Sequence, residues 1–282
     1  MAIRITSDST CDLGVNVQER NIGILPLTVN LGEKSYKDGV DITPEDIFAF
    51  VAETKQLPKT AAPSIGDYEE FFAKQLELGY DEVIHFNLSK KSSGSHNMAL
   101  QAAESFGGKV RVIDSMALSS GQGLLVMRAC DLRDAGKTAA EIEEDALEVR
   151  RRINTSFVPD SLDYLHKGGR VSGMLKVAAA AFKIHPLIVM EEGQLISGGK
   201  YKGKMSVLIK QYVEDLKERY PSYDKTRCFV THSFADKEIV DAAKAKVAEL
   251  FEFDEVLETV AGSIVTSHCG QGTLGVLFIY NE

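Results

Sequence analysis

Ser267-His268-Cys269-Gly270-Gln271-Gly272-Thr273-Leu274-Gly275 sets an imidazole beside a thiol and spaces its glycines as G-x-G-x-x-G. Two chemistries suggest themselves, dinucleotide binding and attack by a thiol, and context argues against both. A dinucleotide fingerprint needs a helix opening on its last glycine, so that the helix N-terminus can hold the pyrophosphate. Here Gly275 leads into Val276-Leu277-Phe278-Ile279-Tyr280, a β-branched and aromatic run that reads as a strand. As for the thiol, neighbouring side chains on an extended segment point to opposite faces, so His268 is no base for Cys269. A free cysteine of this kind is more often a small buried hydrophobe. What remains is a glycine-rich hairpin holding His268 next to backbone that can approach a ligand closely.

Four further stretches carry groups with chemical use. "GGKYKGKMS" (198–206) is nearly a phosphate-binding loop, with Gly198, Gly203 and Lys204 at the required spacing. Met205 stands where a Ser or Thr hydroxyl would bind magnesium, and a thioether is a poor magnesium ligand. The segment therefore reads as a lysine-rich surface hairpin before a helix, or as a patch that docks a partner. "LSKKSSGSHNMA" (88–99) follows an apolar run and opens a helix, with Ser92, Ser93 and Ser95 around Gly94. Hydroxyls and free backbone N–H groups at a helix N-terminus make an anion site as readily as an ordinary cap. "PKTAAPS" (58–64) offers Thr60 on a short proline-bounded loop. "YLHKGGRVSG" (164–173) delivers Arg170 after two glycines, either beyond a helix C-cap or aimed at a carboxylate or phosphate.

Composition narrows the classes. With 282 residues and 44% hydrophobic content, the chain suits one large α/β domain or two of moderate size. Its net charge of −9 argues against nucleic acid as a partner and leaves room for a local basic anion site. Cys11, Cys130, Cys228 and Cys269 are scattered without a C-x-x-C, and the histidines form no H-E-x-x-H. Neither a disulfide framework nor a metal site is expected, and a reducing cytoplasm is the simplest location. "MAIRITSDST" goes straight into strand-like alternation, so no signal peptide is expected. There is no apolar run of the roughly 18 residues that would span a bilayer.

The elements that must position these groups alternate in type. Strands read at "AIRIT", "GILPLTVNL", "EVIHFNL", "KVRVID", "PLIVME", "RCFVTH", "EVLETV" and "GVLFIY". Thr43-Pro44-Glu45-Asp46 and Ser64-Ile65-Gly66-Asp67 are helix starts, each with an N-cap hydroxyl and an acid in the first turn. Strand and helix in alternation predict an α/β fold of mainly parallel sheets flanked by helices. The charged helix ending at Arg150-Arg151-Arg152 marks a division into 1–157 and 158–282, two α/β domains with ligand-bearing loops at the strands' carboxyl ends.

Taken together, "SDST" (7–10), Thr60, Ser92-Ser93-Gly94, Lys167-Gly168-Gly169-Arg170, His268-x-Gly270-x-Gly272 and "GTLG" (272–275) resemble the DegV family over essentially the whole chain. That family comprises bacterial fatty-acid-binding proteins, several of which are the non-catalytic subunit of fatty acid kinase. A separate kinase subunit phosphorylates the bound acyl carboxylate with ATP. The resemblance implies a two-domain fold related to dihydroxyacetone kinase, an acyl tunnel, and a carboxylate held at the domain junction. It implies Thr60, Ser93 and His268 as the carboxylate's partners, with Ser92, Gly94, Arg170 and Gly270 supporting the site or facing the partner. It implies no catalytic residue, metal or cofactor beyond the bound fatty acid. This chain departs from the common family pattern at Ala61, Ala62, His185 and Gln271.

Physical chemistry is compatible with that role. A buried carboxylate without partners is costly, whereas each charge-assisted hydrogen bond returns roughly 1.5–3 kcal/mol. The tail adds about 0.8 kcal/mol per buried CH₂. "MLKVAAAAF" (174–182) and "GLLVM" (123–127) are the apolar stretches offered for a tunnel wall, each equally readable as core. Two rival readings stand beside this one: a small-molecule kinase subunit or hydrolase using His268, and a lipid store without a kinase.

Overall fold

In a computed structural model, residues 1–161, 164, 165, 169 and 184–282 are described. Arg170 and the 174–182 stretch lie outside the described residues. β1 (Ile3–Asp8) and β6 (Glu82–Asn87) are buried on nearly every residue, as strands covered on both faces must be. They form the centre of a parallel four-stranded sheet in the order β2-β1-β6-β7, where β2 is Gly23–Leu25 and β7 is Val110–Asp114.

A second sheet has seven strands among the described residues: β8 (Ile153–Asn154), β9 (Ser156–Val158), β10 (Ile184–Glu191), β11 (Gln194–Lys202), β12 (Tyr223–Ser233), β13 (Glu255–Val260) and β14 (Thr273–Tyr280). The α/β class holds, and the parallel pairing expected of both sheets is complete in the smaller one. In the larger sheet only β12 and β13 run parallel; the other pairs are antiparallel. The antiparallel pairs include short strands and a tight hairpin that alternation of long apolar runs does not reveal.

Helices fill the space between and outside the sheets. α5 (Ser120–Asp134) and α6 (Ala139–Val149) share one core with Ile5, Ile84 and Phe86 of the small sheet and Phe229 and Leu277 of the large one. Ser120 to Met127 of α5 are all buried, as a helix packed on every side requires. "GLLVM" therefore belongs to this core and not to a ligand cavity. α3 (Ile65–Glu77) and α4 (Ser95–Ala103) cover the outer face of the small sheet through Tyr68, Phe72 and Ala99. α7 (Met205–Arg219) and α8 (Lys237–Leu250) cover the large sheet through Tyr212, Val213 and Val240. α2 (Pro44–Thr54) and α3 begin at the helix starts read from sequence, and each start is a capping box, Thr43 with Asp46 and Ser64 with Asp67. Among the described residues no helix is long and apolar enough to cross a membrane.

Several elements differ from the sequence reading. "GILPLTVNL" is two strands: Pro26, without an N–H, separates β2 from β3 (Thr28–Leu31), which lies in another sheet. That third sheet is antiparallel in the order β4-β3-β5, with β4 at Lys34–Lys37 and β5 at Lys59–Ala61. Thr60 is thus in a strand, opposite Val29, and not on a loop. The first half of the near phosphate-binding motif lies in β11, paired to β10. Gly198 and Gly199 are consequently strand residues, and the stretch is one arm of the β10–β11 hairpin, whose turn lies earlier, at Glu192 and Gly193.

Candidate functional site

His268 lies in the last turn of a seven-residue helix, α9 (Ser263–Cys269), and not in an extended hairpin. On a helix, adjacent side chains diverge by about 100°, so the separation of His268 from Cys269 stands for a different reason. Burial pushes the Cys269 thiol up to about 12, which keeps it neutral and unreactive. The glycines after the helix do adopt left-handed φ, +75° at Gly270 and +80° at Gly272. Their close approaches are to protein: a Cβ on Gly270 would lie 2.7 Å from the Tyr164 ring, and one on Gly272 would lie 2.8 Å from Asp160 Cβ.

Thr60 Oγ1 and His268 Nε2, 208 positions apart, are 2.9 Å from each other. Both line a cavity that also takes in Ser92 and Ser93, so Thr60, Ser92, Ser93 and His268 are brought to one place. The cavity measures about 110 Å³ to the centre of a water-sized sphere, against roughly 10–15 Å³ for a single water in such a measure. Its apolar wall comes from Leu27, Leu88, Leu118, Phe157, Leu195 and Ile264. Ala61 and Ala62 line it beside Thr60, whereas Gly94 and Gly270 do not appear in its lining. Gly94 is the residue before α4, and Ser93 Oγ accepts from the Ser95 N–H at 3.2 Å, which leaves the helix N-terminus partly capped.

The scaffold behind the cavity is polar and tightly bonded. Asp8, at the end of β1, accepts from the Leu88 N–H at 2.9 Å, Thr10 Oγ1 at 2.5 Å and Gln122 Nε2 at 3.0 Å. Burial raises its pKa, and these donors pull the other way. Asp12 accepts from the Gly262 N–H at 2.8 Å and Ser119 Oγ at 2.5 Å, and Asp38 accepts from the Ser263 N–H at 2.8 Å. Two remote carboxyl groups therefore serve the N-terminus of the helix that carries His268. Burial, with nearby Asp38 and Asp8 adding to it, pushes Asp12 up to about 8; burial also raises Asp38. Ser119, at φ 54° and ψ −147°, sits in a region that glycine normally occupies, held there by Asp12 and the start of α5. Among the described residues no group of three His, Cys, Asp or Glu could hold a metal ion.

A family model described as "Uncharacterised protein, DegV family" matches residues 2–281. The chain belongs to the DegV family. DegV domain-containing proteins of Deinococcus radiodurans and Listeria innocua are 30% and 31% identical to it over 277 and 278 residues, with 98% of each chain covered. Among solved structures, a DegV family protein from Thermus thermophilus described for its fatty acid binding is similar at a TM-score of 0.92 and 27% identity, over 100% of both chains. A Thermotoga maritima protein described as revealing a fatty acid binding function has a TM-score of 0.86 and 28% identity over 99% of both chains. A stearic acid-binding protein from Eubacterium ventriosum has a TM-score of 0.86 and 26% identity, over 99% of this chain and 98% of that one.

In this DegV-family chain, Arg170 lies outside the described residues, and His185 is a buried β10 residue with Nδ1 3.3 Å from the Pro159 carbonyl oxygen. Gln271 is exposed. Sequence reasoning missed the apolar wall, because Leu27, Leu88, Leu118 and Leu195 are isolated leucines at the ends of different elements and form no stripe. It also left "SDST" without a role, although an acid at a strand's carboxyl end followed by hydroxyls is a turn signature.

Proposed function

We propose that this chain binds a long-chain fatty acid, with the carboxylate at Thr60, Ser93 and His268 and the tail along the leucine-lined wall. The single observation that carries this reading is the Thr60–His268 pair standing with Ser92 and Ser93 in a cavity whose apolar wall includes Leu27, Leu88, Leu118, Phe157, Leu195 and Ile264. With His268 Nε2–H donating to Thr60 Oγ1, the Thr60 and Ser93 hydroxyls can each donate to a carboxylate, giving two charge-assisted hydrogen bonds that offset much of its desolvation. A tail of a dozen or so methylenes supplies on the order of 10 kcal/mol before ordering costs. The relatives described as fatty acid binders support the same reading. On this view residues 1–157 contribute Thr60 and Ser93 and residues 158–282 contribute His268, so ligand binds at the seam of two units.

The finer reading is a non-catalytic subunit that presents the carboxylate to a separate kinase subunit, which makes acyl phosphate from ATP in the cytoplasm. The buried, neutral Cys269 supports a chain without its own nucleophile. The Thr60–His268 pair favours one rival, a hydrolase with threonine as nucleophile. Titration with a long-chain fatty acid and with its methyl ester tests the binding reading. We expect tight binding of the acid, weaker binding of the ester and no ester turnover. Ester cleavage by this chain alone would establish the rival. Incubation with the kinase subunit and ATP separates presentation, which yields acyl phosphate, from storage, which yields none.

A further inference from the structure

Ser89, fully buried between β6 and α4, stands four residues before Ser93 and gathers the loop that carries it. Its carbonyl accepts from the N–H groups of Ser92 at 2.9 Å and Ser93 at 3.2 Å, and its own N–H donates to Ala117 O at 2.8 Å. Its hydroxyl does something different. Ser89 Oγ donates to the carbonyl of Gly193 at 2.5 Å and accepts from the Lys91 N–H at 3.3 Å. Gly193 is the buried tip of the β10–β11 hairpin, in a two-residue turn with Glu192 where both residues have positive φ, +48° and +77°. A Cβ on Gly193 would fall 2.7 Å from Ser89 Oγ and 3.6 Å from Met116 Cα, so the tip is seated between the loops that follow β6 and β7. The same hairpin brings Leu195 to the cavity wall.

We infer that Ser89 is a positioning residue for the head-group site: its single hydroxyl proton ties the hairpin of the large sheet to the loop that sets Ser93 Oγ. This rests on the fatty acid reading above and adds to it a residue that touches no ligand. Without the hydroxyl, the buried Gly193 carbonyl loses its donor, and a lone buried acceptor is driven to seek another partner. The tip then shifts, and the Ser92–Ser93 turn loses one of its two anchors. A carboxylate, which needs Ser93 in place, suffers; an uncharged head group held mainly by its tail does not.

The test compares the affinities for hexadecanoic acid and hexadecan-1-ol, which share a tail and differ in the head group. In Ser89→Ala we expect the acid to bind about tenfold more weakly, the worth of one good hydrogen bond, and the alcohol to change less than twofold. Gly193→Ala, which crowds the same contact from the other side, should shift the acid-to-alcohol ratio in the same direction. It decides the matter if Ser89→Ala fails to fold. Ser89→Thr, which keeps the hydroxyl, should restore most of the ratio. A folded Ser89→Ala whose two affinities fall in parallel, or do not change, overturns the inference. A wild-type protein that binds neither probe sinks the fatty acid reading instead.

Discussion

Ser93 and Cys269 line the same cavity and differ in what they can offer an anion. A hydroxyl donates readily, whereas a thiol held neutral by burial is a weak donor. Ser93→Ala should therefore weaken fatty acid binding by about tenfold and Cys269→Ala by less than about threefold, measured by displacement of a fluorescent acid. The reverse order would refute the head-group assignment. Asp12 gives a pH prediction. With its pKa raised from 3.8 to about 8, the folded chain retains a proton that the unfolded chain has lost, so its stabilising contribution declines as pH rises towards 8. The slope is one proton, about 1.4 kcal/mol per pH unit. Asp12→Asn keeps an acceptor for Gly262 and cannot ionise, so its melting temperature should fall less steeply than wild type between about pH 5 and 8. Equal slopes would mean that Asp12 is ionised throughout. At this scale the residue types Thr60, Ser92, Ser93 and His268 were legible in the sequence, and family resemblance selected them. Their meeting was implied by the resemblance alone, because local spacing says nothing about two residues 208 positions apart.

The element carrying His268 was misread for a physical reason. Seven residues make about two helical turns, too few for an amphipathic period to emerge, and the carboxyl groups that serve its N-terminus lie 225 and 250 positions away. The two helices with local capping boxes, α2 and α3, were legible because their caps lie within the same turn. α5 shows the converse. Its buried face continues all the way round, so periodicity reads as an ordinary apolar run, and its glycines mark close packing. A Cβ on Gly123 would lie 2.7 Å from the Cys11 carbonyl oxygen and 2.8 Å from Leu13 Cδ2. The backbone atom cannot give way cheaply, so Gly123→Ala should cost about 1–3 kcal/mol, read as a lower denaturant midpoint with little change in slope. A midpoint equal to wild type would show that α5 can shift away from the "SDSTCDL" turn.

At the scale of the whole molecule, α5 is also fastened to the large sheet by charge. Arg227 of β12, 7% exposed at its side chain, reaches Asp131 at 3.1 Å and Glu255 at 2.7 Å. Arg128 reaches Asp145 at 2.6 Å and Asp224 at 3.3 Å. Asp131→Ala leaves a buried guanidinium with one partner fewer and should cost about 1–3 kcal/mol. Asp134→Ala removes a half-exposed carboxylate and should cost less than about 0.5 kcal/mol by the same thermal or denaturant melt. Similar losses in both variants would contradict a clasp between α5 and β12. Such long-range fastenings, like the antiparallel pairs of the large sheet, depend on tertiary placement, so alternation predicted the α/β class and missed the antiparallel pairs, seven of the eleven among the described residues. The central claim concerns the cavity lined by Thr60, Ser93 and His268. Organic extraction of the purified protein followed by mass spectrometry tests it most directly. A stoichiometric amount of long-chain fatty acid, much reduced in Ser93→Ala, is the predicted result; an empty protein that also takes up no labelled fatty acid would contradict it.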